Sequence, residues 1–289
     1  MEYSFSNKYY YKKNQFLHYR EIGQGEKVLI LLHGFGASSR TWDDLIPYID
    51  SKAYRLIAID LIGYGYSSIP SDHDFSIEAN ANAVTSFIRE SLIRNYSILG
   101  HSFGGGVTLN IALNVRKENI NEPESIILLD AAAYNTGLPS FVKQLKTPVI
   151  NCLIMGLIPP KIRAKFTLEN LYFDKTKVTE ERIERYAYFF RMPGNDITLM
   201  KSAEQIVPKN YNYLIQQYKN INIPTLIIWG ENDNALSIDG GYRLAKEIEG
   251  SKFVIIKNCG HNVQEECPER VAIAIQDFLT SMDQQQWMY

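Results

Sequence analysis

The sequence predicts an α/β fold: a mostly parallel, doubly wound sheet with helices on both faces and a helical insertion. Three observations carry this. Short runs of β-branched and apolar residues recur along the chain, as buried parallel strands do. Segments with helical periodicity fit between those runs, and parallel strands need such crossovers. The alternation breaks once, over residues 134–220, where the sequence turns helix-like and carries seven tyrosines.

Taken in order, residues 16–22 alternate weakly and end in the Gly23-Gln24-Gly25 turn, which predicts the first strand. Strands follow at 28–32, 55–60, 96–99, 125–130, 223–229 and 253–257, each read as fully buried. Helices fit at 41–48, 76–92, 103–115, 238–249 and 268–281. Pro268 suits the first turn of the last one, where its missing N–H removes no helical hydrogen bond. The expected division is a core of residues 1–133 and 221–289 and a helical domain of residues 134–220.

With 289 residues, 45% of them hydrophobic, the chain is long enough to bury a full core and too apolar for disorder. Its 30 Lys+Arg against 32 Asp+Glu leave a formal charge of -2, so no electrostatic footprint for nucleic acid is expected. Cys152, Cys259 and Cys267 are an odd, sparse set without CxxC spacing, which predicts neither a disulfide framework nor a zinc site. The first residues lack the basic and apolar regions of a secretory signal, and no stretch reaches the ~20 apolar residues of a membrane span. A cytoplasmic location follows as the expectation. Residues 134–220 hold 13 Lys+Arg and 7 Asp+Glu, so the insertion is basic and the remainder acidic. Complementarity between the two parts and a solvated face account for that contrast more simply than attraction of an anionic substrate.

The sharpest motif is Gly100-His101-Ser102-Phe103-Gly104, which closes an apolar strand and opens a helix. A nucleophile on such a tight turn sits on strained backbone, and small residues two before and two after it let strand and helix approach. Gly100 and Gly104 meet that demand. A serine hydroxyl needs a base, and the base an orienting carboxylate. Two later strands end near suitable groups, Gly230-Glu231-Asn232-Asp233 and Asn258-Cys259-Gly260-His261. If the chain order is Ser, acid, His, then among His18, His33, His73, His101 and His261 only His261 follows both partners. Asp130 also ends a strand and is the alternative acid. Asp233 is preferred because Gly-x-x-Asp after the later strand fits better.

Four blocks together resemble the α/β-hydrolase family of the capped, cofactor-free type, over essentially the full chain. They are His33-Gly34-Phe35-Gly36, the stretch from Asp60 through Gly63 and Gly65 to Ser67, the turn at Ser102, and the ordered pair Asp233 and His261. The resemblance implies that 134–220 is a helical cap (lid). It implies Ser102 as nucleophile, His261 as general base and then acid, and Asp233 as the group that fixes the imidazole tautomer. It further implies an oxyanion hole from the backbone N–H groups of Phe35 and Phe103, with Gly34 and Gly36 letting their loop approach the substrate. The side chains of Phe35 and Phe103 are expected on the pocket wall. No cofactor and no metal are implied.

Serine, rather than the aspartate of related dehalogenases and epoxide hydrolases, suits attack on a carbonyl. The leading expectation is a serine hydrolase that cleaves carboxylic esters of small to medium hydrophobic substrates through an acyl-enzyme. The rival is a C–C bond hydrolase of the meta-cleavage type, for which Arg191 is the candidate anchor of a substrate carboxylate. A slow-turnover small-molecule receptor on the same fold is the third reading.

Overall fold

A computed structural model describes residues 5–135, 142 and 157–286 of the chain. Eight strands form one sheet: β1 (Ser6–Lys12), β2 (Gln15–Ile22), β3 (Lys27–Leu32), β4 (Tyr54–Ile59), β5 (Tyr96–His101), β6 (Ser125–Leu129), β7 (Thr225–Gly230) and β8 (Lys252–Ile256). Their order is β1-β2-β4-β3-β5-β6-β7-β8, antiparallel where β1 meets β2 and β2 meets β4, and parallel from β4 onward. This is the mostly parallel doubly wound sheet that the sequence predicts.

The alternation of strand side chains sorts the core into two layers. Ile30, Ile98 and Ile57 face the helices α1 (Ile77–Glu90) and α2 (Phe103–Asn114), where Val84, Phe103 and Val107 join them. Leu29, Leu31, Leu99 and Ile127 face the opposite way, onto Trp42 and the helix α9 (Pro268–Gln286), which contributes Val271, Ile275 and Phe278. The start of α1 is set by Ser76, whose side chain accepts from the Ala79 N–H, a cap that satisfies one of the orphan donors of the first turn.

Three sequence expectations need correction. The strand β1 was not expected: its residues are exposed or half-buried throughout, so an edge strand with no buried face shows no hydrophobic alternation. The helix expected over 41–48 is two short 3₁₀ turns, Ser39–Trp42 and Ile46–Tyr48. The apolar spacing there is real, since Trp42, Leu45 and Ile46 are buried, but Pro47 removes an N–H that a continuous helix would need. Finally, β8 is not fully buried, because it is the far edge of the sheet and only Ile256 is shielded.

Between β6 and β7 the described residues form α3 (Pro160–Leu171), α4 (Glu180–Phe190), α5 (Asn195–Gln205) and α6 (Tyr211–Gln217). The apolar run at 148–158 lies outside the described residues up to 156, and so does Cys152. The helix α4 is fastened to the loop after β3 by ion pairs: Arg185 and Arg182 reach the Asp44 carboxylate at 2.8 Å and 3.0 Å. The helix α7 (Asp239–Glu247) follows β7, and the single turn α8 (Val263–Glu266) follows β8. No helix among the described residues is long and apolar enough to cross a membrane.

Candidate active site

Ser102 sits where β5 turns into α2, with φ +50° and ψ -114°, neither strand nor helix. A non-glycine residue on this backbone costs about 1–3 kcal/mol and persists only when its surroundings fix it. Hydrogen bonds on both sides do so. The Ser102 N–H donates to the Leu129 carbonyl at 2.9 Å, and its carbonyl accepts from Ala132 at 2.9 Å and Gly106 at 3.1 Å. The glycines expected around it are required by contact: a Cβ on Gly100 would stand 2.3 Å from the Gly104 carbonyl oxygen, and one on Gly104 would stand 2.2 Å from that of Leu32.

The loop after β3 presses against the same corner. A Cβ on Gly34 would lie 3.2 Å from the Ser102 Cβ, so the Gly34-Phe35-Gly36 backbone comes close to the serine. Gly36 has φ +70°, a conformation that side chains disfavour. Phe35 lines the cavity above Ser102, as expected. Phe103 does not: its ring is fully buried in the layer beneath the sheet, because it heads the inward face of α2.

Asp233 and His261 arrive from the loops after β7 and β8. The His261 Nδ1 lies 2.7 Å from the Asp233 Oδ2. The other carboxylate oxygen of Asp233 accepts from the N–H groups of Ala235 at 2.7 Å and Leu236 at 2.9 Å. These backbone donors hold the carboxylate in one orientation, which in turn makes the Nδ1 of His261 the donor. Ser102 and His261 both line the cavity. Asp130 lies beside them but makes a different bond, accepting the Gly230 N–H at 2.8 Å.

His101 supports the arrangement. Its Nε2 donates to the His261 carbonyl at 3.0 Å, and the two rings lie 4.9 Å apart. Burial, with the neighbouring His261, holds the His101 imidazole well below its ordinary value, so it stays neutral beside the other ring. One side-chain ligand atom from each of Asp130, Asp233 and His261 lies within 4.8 Å of the other two, the one such His/Cys/Asp/Glu group among the described residues. The direct His261–Asp233 hydrogen bond accounts for the closeness of those two without an ion.

The cavity over Ser102 has a volume of about 400 Å³. Its wall is apolar on the side of the inserted helices, with Ile162 and Phe166 from α3, Phe190 from α4, Leu199 from α5 and Leu214 from α6. Polar side chains on the wall include Asn110, Asn135, Thr167, Asn262, Tyr186, Tyr211 and Arg163. Arg191 is not among them. It lies exposed at the end of α4 and pairs with Glu184, so the structure does not bring it to the cavity. The arginine that does reach the wall is Arg163, largely buried, with Nη1 3.3 Å from the Asp196 carboxylate. Its position on α3 gave no signal in the sequence.

Sequence reasoning also passed over Glu265 and Glu266, which follow His261 on α8. Glu265 is fully buried and accepts from Thr41 at 2.8 Å, Tyr172 at 2.7 Å, Tyr186 at 3.0 Å and Asn262 at 3.0 Å. Glu266 accepts the N–H groups of Gly260 at 2.7 Å and Asp174 at 2.8 Å. The His261 N–H itself donates to the Leu171 carbonyl at the end of α3, at 2.7 Å. The loop that carries the imidazole is thereby tied to the helices above the cavity. Two fully buried glutamates in a run reading Val-Gln-Glu-Glu look like a solvated turn until their partners, distant in sequence, are placed.

Comparison with known proteins gives consistent results. A family model described as alpha/beta hydrolase fold matches residues 27–268. The chain is 27% identical over 267 residues to the uncharacterized hydrolase YugF of Bacillus subtilis (strain 168), covering 91% of this chain and 92% of that protein. It is equally 27% identical over 267 residues to a 2-hydroxy-6-oxononadienedioate/2-hydroxy-6-oxononatrienedioate hydrolase of Escherichia coli (strain SE11), covering 91% and 90%. Among solved structures, the meta-cleavage product hydrolase CumD from Pseudomonas fluorescens superposes with a TM-score of 0.76 at 22% identity, covering 92% of this chain and 95% of that one.

Proposed function

The chain belongs to the alpha/beta hydrolase fold family, and from that premise we propose that it is a serine hydrolase acting on carboxylic esters of small to medium hydrophobic substrates. The observation that carries this reading is the 2.7 Å bond between His261 and a backbone-oriented Asp233, on the floor of an apolar cavity that also holds Ser102. With its Nδ1–H committed to Asp233, the imidazole offers Nε2 as the base.

In the proposed reaction the Ser102 hydroxyl attacks the ester carbonyl while His261 accepts its proton. The oxyanion of the tetrahedral intermediate accepts hydrogen bonds from the N–H groups of Phe35 and Phe103, each such donor contributing about 3 kcal/mol to the transition state. His261 then gives its proton to the leaving alcohol, and an acyl group is left on Ser102. Water, deprotonated by His261, releases the acid and restores the serine. In this reading residues 134–220 are the cap: their helices exclude water and supply the apolar wall that selects the acyl or alcohol group.

Labelling with a fluorophosphonate, mapped by peptide mass, tests the nucleophile. A single adduct on Ser102 that is absent from Ser102→Ala is the expected result; an unlabelled but folded wild type would remove the support for turnover and favour the receptor reading.

A second reading has its own support. The E. coli relative is named as a hydrolase of dioates, substrates that bear carboxylates, and Arg163 puts a guanidinium on the cavity wall of this chain. If a dienoate is the substrate, Arg163→Ala raises KM for it at least tenfold and spares neutral p-nitrophenyl esters, while Arg191→Ala changes neither. A panel of p-nitrophenyl esters run beside a ring-fission dienoate separates the two readings by kcat/KM.

A further inference from the structure

Asp130 ends β6 on a strained backbone, with φ +42°, and is completely buried. Its N–H donates to the Ile228 carbonyl at 3.0 Å and its Oδ1 accepts from Gly230 at 2.8 Å, so backbone bonds hold it in place. Its Oδ2 is buried and meets no donor. One oxygen of the Asp233 carboxylate lies within 4.8 Å of one of Asp130. Asp233 carries two backbone N–H groups on Oδ1 and only the His261 Nδ1 on Oδ2, which leaves Oδ2 able to accept one more hydrogen bond.

The charged and titratable groups around Asp130 come from three elements besides its own. Asp233 faces it from the loop after β7, Cys259 and His261 from the loop after β8, and Glu266 from α8, with His101 behind His261. Two carboxyls this close and away from water do not both ionise. Asp233, with three donors, is the better anion. Asp130 has one donor and faces two other carboxylates, so burial and the Asp233 charge push it well above the usual carboxylate range.

We propose that Asp130 is a positioning residue that carries a proton and donates it from Oδ2, as a hydrogen bond, to the Asp233 carboxylate. It thereby tempers the charge that Asp233 presents to His261 and limits how basic the imidazole becomes. No bond to substrate is formed or broken. The inference rests on the assignment of Ser102, His261 and Asp233 above.

The test compares wild type, Asp130→Asn and Asp130→Ala by the rate of fluorophosphonate labelling of Ser102 against pH, and by thermal stability against pH. Asparagine can accept from Gly230 and donate to Asp233, so it keeps the acid limb of the labelling profile where the wild type has it. Alanine removes the donor, leaves Asp233 more strongly charged, and moves that limb upward by about one unit. A downward shift in Asp130→Asn would mean that Asp130 was ionised, and an unmoved limb in Asp130→Ala would mean that it does not act on His261; either overturns the inference. Labelling lost in Asp130→Asn but intact in Asp233→Asn would overturn both this inference and the acid assignment.

Stability decides the protonation even if the wild type fails to label. A buried acid that stays protonated costs stability as pH rises above the ordinary carboxyl range. Asp130→Asn is therefore expected to match the wild type near pH ~4 and to melt progressively higher than it toward pH ~8. No such divergence would show that Asp130 holds no extra proton.

Discussion

Ser102 keeps its strained backbone because its neighbours leave no other place for it, and the two glycines beside it are the clearest case. A methyl group on Gly104 would press into the Leu32 carbonyl at 2.2 Å, where backbone rather than a movable side chain must yield. Gly104→Ala is expected to destabilise the fold by about 3 kcal/mol, as overpacking at a backbone contact does, and to displace Ser102. Urea unfolding and fluorophosphonate labelling check both effects. This requirement was legible in the sequence, since the glycine spacing around Ser102 is a local, covalent pattern. The pairing of Asp233 with His261 was legible as well, because each follows a strand. That Arg163 rather than Arg191 lines the cavity was not legible: whether a helical arginine faces a cavity or water depends on how α3 and α4 turn against the core, which no spacing reveals.

At the scale of elements, the strands with two covered faces announced themselves by composition; the edge β1 did not, and the edge β8 was legible as a strand but not as an edge. Burial on both faces demands a continuous apolar run; an edge tolerates Asn7, Lys8 and Lys252. The short helix α8 shows the same limit from the other side, since its buried glutamates depend on donors from the loop after β3, from α4 and from the end of α3. Glu265→Ala strips one acceptor group from Thr41, Tyr172, Tyr186 and Asn262 together. Leaving these buried donors unpaired is expected to cost about 3–5 kcal/mol. Tyr186 and Asn262 also line the cavity, so KM should rise in the same variant. Denaturant melts and ester kinetics on the purified variant test this, and an unchanged melt would mean that water replaces the carboxylate without penalty.

For the whole molecule, the contrast between a basic insertion and an acidic remainder resolves at least in part into contacts, Arg182 and Arg185 meeting Asp44, as complementarity requires. Titration behaviour also belongs to this scale. Burial holds His33 and His101 below the ordinary imidazole value of 6.5, so both are neutral when folded and bind protons more readily when unfolded. Their contribution to stability is complete above that value and is lost as pH falls below it. Asp130, raised above the ordinary carboxyl value of 3.8, works in the opposite sense and costs stability as pH rises. Stability should therefore pass through a maximum near pH 6.5, which chemical denaturation at a series of pH values can locate. A maximum well below pH 5 would contradict the assignment of neutral histidines.

The bond from the His261 N–H to the Leu171 carbonyl bears on how such a chain can drift. Both partners are main chain, so no substitution by another ordinary residue at 171 deletes the acceptor, and side chains on α3 are free to diversify around it. Changes of length are another matter. One residue gained or lost within α3 would rotate a different carbonyl toward the histidine loop by about 100° of helix. Lineages, and libraries built from this scaffold, are expected to vary the composition of α3 widely while conserving its register against His261.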